Sequence, residues 1–292
     1  MVSPSFVFWV FMNIQWYPGH MTKAKRQLAE QLKRIDMVIE VLDARLPLGS
    51  QNPDFDDLFA GKKRFYILNK ADLADDALSA AWIAHFAAQG ITAQKYSAQR
   101  SNPAALMNAM EKSAREITQR FEQKGVHKTV RALIAGIPNV GKSAILNRLS
   151  GTRKVKEGNK PGVTKGLQWV KLSPYFEIMD TPGILMPKIE NEETAAKIAL
   201  IGCVKQEILD EENLAYYLIS FLQKTKPGLL IDRYNLEDLD KDAYEVLGDI
   251  AKKRGFLLKG GLMDYERAAK TVLDEFKNGK LGRLTLEVPH DA

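Results

Sequence analysis

Three short runs hold the residues with the most distinctive chemistry in this chain, and their order is unusual. Asn69-Lys70-Ala71-Asp72 comes first, Gly136-Ile137-Pro138-Asn139-Val140-Gly141-Lys142-Ser143 second, and Asp180-Thr181-Pro182-Gly183 third. The second run suits a polyphosphate. Its glycines let backbone amides close around phosphate oxygens, Lys142 adds a positive charge, and the Ser143 hydroxyl ligates Mg2+. Asn139, Val140, Gly141 and Ala144 are expected to complete the lining. The first run suits guanine, because the Asp72 carboxylate accepts from both the ring imide and the exocyclic amine, a pair of donors that adenine lacks. Asn69 would buttress this loop, and the aliphatic stem of Lys70 would cover the base plane. Ser97-Ala98, at the end of a following strand, supplies a backbone amide for the guanine carbonyl oxygen. In the third run, Asp180 is placed to hold Mg2+ through water while the Gly183 amide meets a γ-phosphate. Between the last two runs lies Pro161-Gly162-Val163-Thr164-Lys165, whose Thr164 would complete the Mg2+ shell only when a third phosphate is present.

In ordinary GTPases the phosphate loop leads and the guanine-reading run follows. Rotation of that order preserves the chemistry if the loops converge at one edge of a sheet and the old termini lie close together. The elements that must do this are legible. Met37 to Leu42, Arg64 to Leu68 and Thr129 to Ala135 are apolar runs of the kind buried in parallel sheets, and Ile91 to Tyr96 is a weaker fourth. Each of the first three precedes a motif-bearing loop and then a helical stretch, the βα alternation of a doubly wound sheet. Lys142 to Leu149 should be the helix after the phosphate loop, stopped by Gly151. Leu167 to Leu172 and Tyr175 to Met179, split by Ser173-Pro174, predict an antiparallel hairpin at one edge. Met21 to Ile35 is a basic amphipathic helix, either a solvated cover for the sheet or a nucleic-acid contact.

Beyond about Lys188 the strand-like runs stop and helical periodicity takes over, with a linker expected near Pro187 to Asn191. The fold class is therefore α/β: a permuted P-loop GTPase domain at 13–187 with a smaller all-helical domain at 188–292. Residues 1–12 form an N-terminal extension, and Met12 offers an alternative translation start. Val2 to Phe11 is apolar but too short to span a bilayer and lacks the flanks of a targeting signal, so no membrane role is expected. With 292 residues and 45% hydrophobic content, the chain can bury a substantial core. One cysteine, Cys203, excludes an intrachain disulfide framework and a cysteine-based zinc module, and a reducing cytoplasm fits. The excess of 42 basic over 36 acidic residues permits a polyanionic partner without demanding one. Its richest concentration is Lys252, Lys253, Arg254, Lys259, Arg267, Lys270, Lys277, Lys280 and Arg283, which either solubilise the helical domain or contact RNA.

Trp16-Tyr17-Pro18-Gly19-His20-Met21, Asp43-Ala44-Arg45-Leu46-Pro47, the rotated motifs, Pro161 to Lys165 and Lys280-Leu281-Gly282-Arg283 together resemble the circularly permuted GTPases of the ribosome biogenesis GTPase A (YlqF) type. The resemblance covers nearly everything from Asn13 to Pro289. It implies a GTPase, monomeric in solution, that binds a precursor of the large (50S) ribosomal subunit in the GTP state and leaves on hydrolysis. Its partners would be ribosomal RNA and proteins.

Ras-like enzymes orient the attacking water with a glutamine just after the third motif, where this chain has Ile184. Slow intrinsic turnover and strong stimulation by a partner are expected, with Lys142 and Thr164 supporting the chemistry at the phosphates. His20 is either a turn residue capping the first helix or, as the resemblance implies, catalytic. Asn139 matches the asparagine that helps hold K+ in potassium-activated GTPases, although asparagine is also a good turn former. A nucleotide-gated RNA-binding adaptor with incidental hydrolysis and a small-subunit assembly GTPase are the competing readings. The latter relatives carry an N-terminal barrel and a zinc site, for which this chain has neither strands nor cysteines.

Overall fold

A computed structural model describes residues 28–151 except 124, 168–181, 183–184, 189, 191–204 and 209–289, without the side chain of residue 120. Residues His20 and Thr164, the Trp16 to Met21 run, Pro182, residues 1–12 and most of the expected linker lie outside them.

Six strands form one sheet in the order β3-β2-β1-β4-β6-β5. The first, β1 (Met37–Asp43), is buried along its whole length, which its Val and Ile content and its central place explain. It pairs in parallel with β2 (Lys63–Asn69) on one side and β4 (Val130–Ala135) on the other. Beyond β2 lies β3 (Thr92–Lys95), and beyond β4 lies β6 (Phe176–Asp180), both parallel to their neighbours. The edge strand β5 (Gln168–Ser173) is antiparallel to β6, which is the expected hairpin. Successive strands wind outward from β1 in one direction and from β4 in the other. Their shared boundary is the topological switch point where doubly wound sheets open a crevice for ligand. All the parallel strands end at that same edge, so Asp43, Asn69, the loop after β3, Gly136 and Asp180 emerge together.

The helices of this unit follow their strands: α1 (Asp54–Leu58), α2 (Asp76–Ala88), α3 (Pro103–Ser113), α4 (Arg115–Glu122) and α5 (Lys142–Ser150). Asp75 caps α2 by accepting from Ala77 and Leu78 amides, and Asn102 caps α3 with Pro103 at the first position. Leu42, Tyr66, Leu68, Trp82 and Phe86 pack together under α2. Leu28, Leu32, Val38, Phe55, Phe59, Leu133, Met179 and Ile184 form a second cluster. The described part of the expected first helix, Leu28 to Gln31, runs into a 3-10 turn at Leu32–Arg34, and its leucines face this core.

The second unit is Ile189–Leu284. It comprises α6 (Glu192–Leu200), α7 (Glu211–Thr225), α8 (Pro227–Tyr234), α9 (Ala243–Arg254) and α10 (Tyr265–Lys277). Among the described residues its only strand-like feature is an isolated bridge between Leu257 and Met263. The leucines of α7 at 214, 218 and 222 pack with Val246 and Ile250 of α9 and Val272 and Phe276 of α10 as one core. Asp242 and Glu245 form a reciprocal capping box on α9. No helix among the described residues is long and apolar enough to cross a membrane.

The helical unit ends earlier than the expected 188–292. Residues 285–289 rejoin the first unit, because their polar groups find partners there. The Thr285 hydroxyl accepts from the Asp75 amide at 3.1 Å, the Leu286 amide donates to the Arg45 carbonyl at 2.7 Å, and the Glu287 carboxylate accepts from the amides of Leu48 and Gly49. Trp82 Nε1 donates to the Glu287 carbonyl at 3.3 Å.

Candidate active site

The phosphate loop is built by backbone conformations that few residues tolerate. Gly136 has φ 148°, and a Cβ there would stand 2.5 Å from the Val41 carbonyl oxygen. Only glycine lets the loop leave β4 so close to β1. Asn139 is left-handed at φ 62°, and Gly141, at φ 101°, starts α5. Lys142 is buried at the mouth of this loop, its Nζ donating to the carbonyls of Gly136 at 3.0 Å and Ile137 at 2.9 Å. Ser143 and Ala144 follow in the first turn of α5, whose exposed amides and dipole favour an anion.

One side chain joins this cradle to the guanine-reading loop. Asn69 Nδ2 donates to the Val140 carbonyl at 2.7 Å, and Asn69 Oδ1 accepts from the Ala98 amide at 3.2 Å. Three loops far apart in sequence are thereby tied at one buried residue. Asn69 is the residue expected to buttress the base-reading loop. The Ala98 amide, expected to meet the guanine carbonyl, donates to Asn69 here, and the Ser97 amide donates to Ser101 Oγ at 2.9 Å. Sequence could not assign these contacts because it does not reveal which acceptor an amide finds. Asp72 is largely buried and lies 3.6 Å from Arg100. Lys70 takes a left-handed φ of 60°, and its ammonium lies 2.9 Å from Asp43 Oδ2.

Asp180 ends β6 fully buried, and neither carboxylate oxygen has a hydrogen-bond partner of good geometry. Burial raises its pKa from 3.8 to about 6, while the Lys142 charge and the Thr181 amide oppose the rise. An orphaned carboxylate beside a phosphate cradle is the donor that Mg2+ requires. No group of three His, Cys, Asp or Glu among the described residues could hold a metal by itself. Ser143 and Asp180 are the described residues that would hold Mg2+.

Gly183 packs tightly against the phosphate loop: a Cβ would stand 2.8 Å from Pro138 Cα and 3.1 Å from Lys142 Nζ. The next residue, Ile184, turns its side chain into the core, where it is 1% exposed. It therefore cannot touch water at the phosphates. Its amide donates to the Gly136 carbonyl at 3.3 Å, and its carbonyl accepts from Asn52 Nδ2 at 3.1 Å. Asn52 is buried, its amide hydrogen-bonds Glu40, and Arg64 pairs with the same carboxylate at 2.7 Å. Burial raises Glu40 to about 7 against the opposing pull of Arg64.

Asn52 was not legible as a site residue, since nothing in a Gln-Asn-Pro turn announces a partner 132 positions away. Asn52→Asp keeps the acceptor that the Asp54 amide uses at 3.1 Å but removes the donor to Ile184. A lost buried hydrogen bond of this kind is worth about tenfold in an equilibrium. The variant should lose about that factor in affinity for a non-hydrolysable GTP analogue while binding GDP as the parent does, read with fluorescent nucleotides. Equal losses for both would show that the tether does not act through Gly183.

Residues 131–258 match the family described as 50S ribosome-binding GTPase. The chain is 43% identical over 282 residues to ribosome biogenesis GTPase A of Bacillus cereus, covering 96% of this chain and 95% of that one. It is 34% identical to the protein of the same name from Thermotoga maritima, covering 95% of each. A GDP-bound structure of Thermotoga maritima YlqF aligns at a TM-score of 0.67 and 30% identity, over 91% of this chain and 100% of that one. The GNP-bound form aligns at 0.66 and 31% identity, over 92% and 100%.

Proposed function

This chain belongs to the ribosome biogenesis GTPase A family and hydrolyses GTP in the assembly of ribosomes, and we propose that its target is a late precursor of the large subunit. On this reading it binds the particle in the GTP state and leaves after hydrolysis. The observation that supports a partner-dependent step is the burial of Ile184. The position that orients water in Ras-like enzymes is committed to the core, so the missing group comes from elsewhere and turnover waits for the right surroundings. His20 is our candidate within the chain, and a group of the ribosomal particle is the alternative.

Lys142 and the α5 amides bind and orient the phosphates, and Asn69 and Asp72 fix the base. Ser143, Asp180 and, with a third phosphate, Thr164 would hold Mg2+, which would supply charge neutralisation at the phosphates. Asn139 is our candidate for a K+ contact beside them. The helical unit is the RNA-binding part of this proposal. Lys253 and Arg254 already pair with Glu237 and Glu275 and Lys277 is half-buried, which leaves Lys252, Lys259, Arg267, Lys270, Lys280 and Arg283 as the exposed cations suited to phosphate.

Turnover measured with and without purified large subunits tests the proposal, and a stimulation of about tenfold or more is expected. Sedimentation with subunits should retain the protein with a GTP analogue and release it with GDP. A particle that binds the protein in the analogue state without raising turnover would favour the adaptor reading, which the buried Ile184 also permits. Stimulation by small subunits alone would overturn the assignment.

A further inference from the structure

The end of β1 holds an ion cluster that nothing in the nucleotide chemistry above uses. Asp43 is fully buried and sits beside Asn69 in the sheet register. Its Oδ1 accepts from the Arg45 amide at 3.1 Å and from Arg45 Nε at 2.9 Å, and its Oδ2 accepts from Arg45 Nη2 at 2.9 Å. Lys70 Nζ lies 2.9 Å from the same Oδ2. Burial alone would raise this carboxyl, but Arg45 and Lys70 together hold it well below the usual carboxylate range.

Arg45 by itself neutralises Asp43 through a two-pronged contact, and it is itself almost fully buried. A second cation on the same carboxylate is not needed for balance and costs desolvation, so its use must lie in Lys70. Lys70 is the residue of the guanine-reading run whose stem covers the base plane, and it holds a left-handed backbone that a side chain disfavours. Such a conformation persists where its surroundings over-determine it. The Ala44 amide donates to the Asn69 carbonyl at 2.7 Å, and the Ala71 amide donates to the Tyr96 carbonyl at 3.0 Å, so the backbone is stitched on both sides of Lys70. The side chain is held by Asp43.

We propose that Asp43 is a positioning residue for guanine recognition, anchoring the Lys70 ammonium so that its stem lies along the base plane. This rests on the reading of the pocket as a guanine-nucleotide site but not on any ribosomal partner. Accordingly, the test uses the whole protein and GDP alone.

GDP release is followed by fluorescence for the parent, Asp43→Asn, Lys70→Met and the double variant, with a thermal melt for each. Asp43→Asn is expected to release GDP about tenfold faster, the size of a typical coupling between contacting charged groups. In the Lys70→Met background the same change should add less than about twofold. A purely structural role would act equally in both backgrounds, so additive effects overturn the proposal, as does parental release by Asp43→Asn. Arg45→Gln disturbs the same cluster without removing the Lys70 anchor, and a matching acceleration there would also overturn it. If Asp43→Asn does not fold, Asp43→Leu with Arg45→Met removes both buried charges together, and the same comparison across Lys70→Met decides. Failure of all proteins, the parent included, to retain GDP would instead refute the nucleotide site itself.

Discussion

Asp180→Asn is expected to make the nucleotide-free protein more stable at pH 7.5 and to abolish the additional stability that Mg2+ gives with GDP. The carboxylate is fully buried and its oxygens have no hydrogen-bond partner of good geometry, so its charge is costly until a cation shares it. Its folded pKa of about 6 lies above the ordinary 3.8. For a group raised in this way, the stability contribution is fully present below the unfolded value and is lost as pH climbs through the folded one. At pH 7.5 the shift corresponds to about 3 kcal/mol, using about 1.4 kcal/mol per unit. The advantage of the variant should therefore be several degrees in Tm at pH 7.5 and shrink towards zero near pH 4. With Mg2+ and GDP the order reverses, because the parent gains a ligand contact that the amide cannot replace. Melting curves across pH, with and without Mg2+ and GDP, check both halves. A variant no more stable than the parent at pH 7.5 would mean that the carboxylate is solvated in the free protein.

Gly141→Ala should cost more than a hundredfold in affinity for GDP. The new Cβ would stand 2.2 Å from Asn69 Nδ2, a separation no relaxed contact allows, and the φ of 101° is itself hostile to a side chain. Asn69 must then withdraw, giving up the Val140 carbonyl and loosening its hold on Ala98. The base-reading loop and the phosphate cradle would lose their shared anchor, which combines the loss of one buried hydrogen bond and the weakening of a part-buried one with backbone strain of about 1–2 kcal/mol. Asn69→Ala alone removes the latch without the clash and should be milder. In that background Gly141→Ala has no amide to displace, so the two effects should fall well short of additivity. Additive losses in equilibrium titrations would place the damage in the phosphate loop alone.

The parts of this molecule that were legible in sequence share one property: their cause is local. Buried parallel strands announce themselves as Val- and Ile-rich runs, and the reading of Met37 to Leu42 missed only Asp43 at the end of β1. The phosphate loop could be read because glycine at 136 and 141 answers a backbone requirement carried in the same few residues. The hairpin of β5 and β6 followed from a turn between two short runs. What sequence could not supply depends on distant partners. Asp43 stood out only as part of a family resemblance: Arg45 is a local partner two residues on, but the Lys70 contact cannot be deduced until β1 and β2 lie side by side. The last residues after Leu284 lack any periodicity of their own, and their place is set by acceptors and donors at Arg45, Leu48, Gly49 and Asp75.

That return of the chain has a topological consequence. Because the polypeptide passes into the helical unit before Ile189 and passes back after Leu284, the unit is an insert and not an appendage. A module hung on one thread can spin about it and is lost at a single cut. A module sewn in at both ends keeps its attachment when either seam is opened.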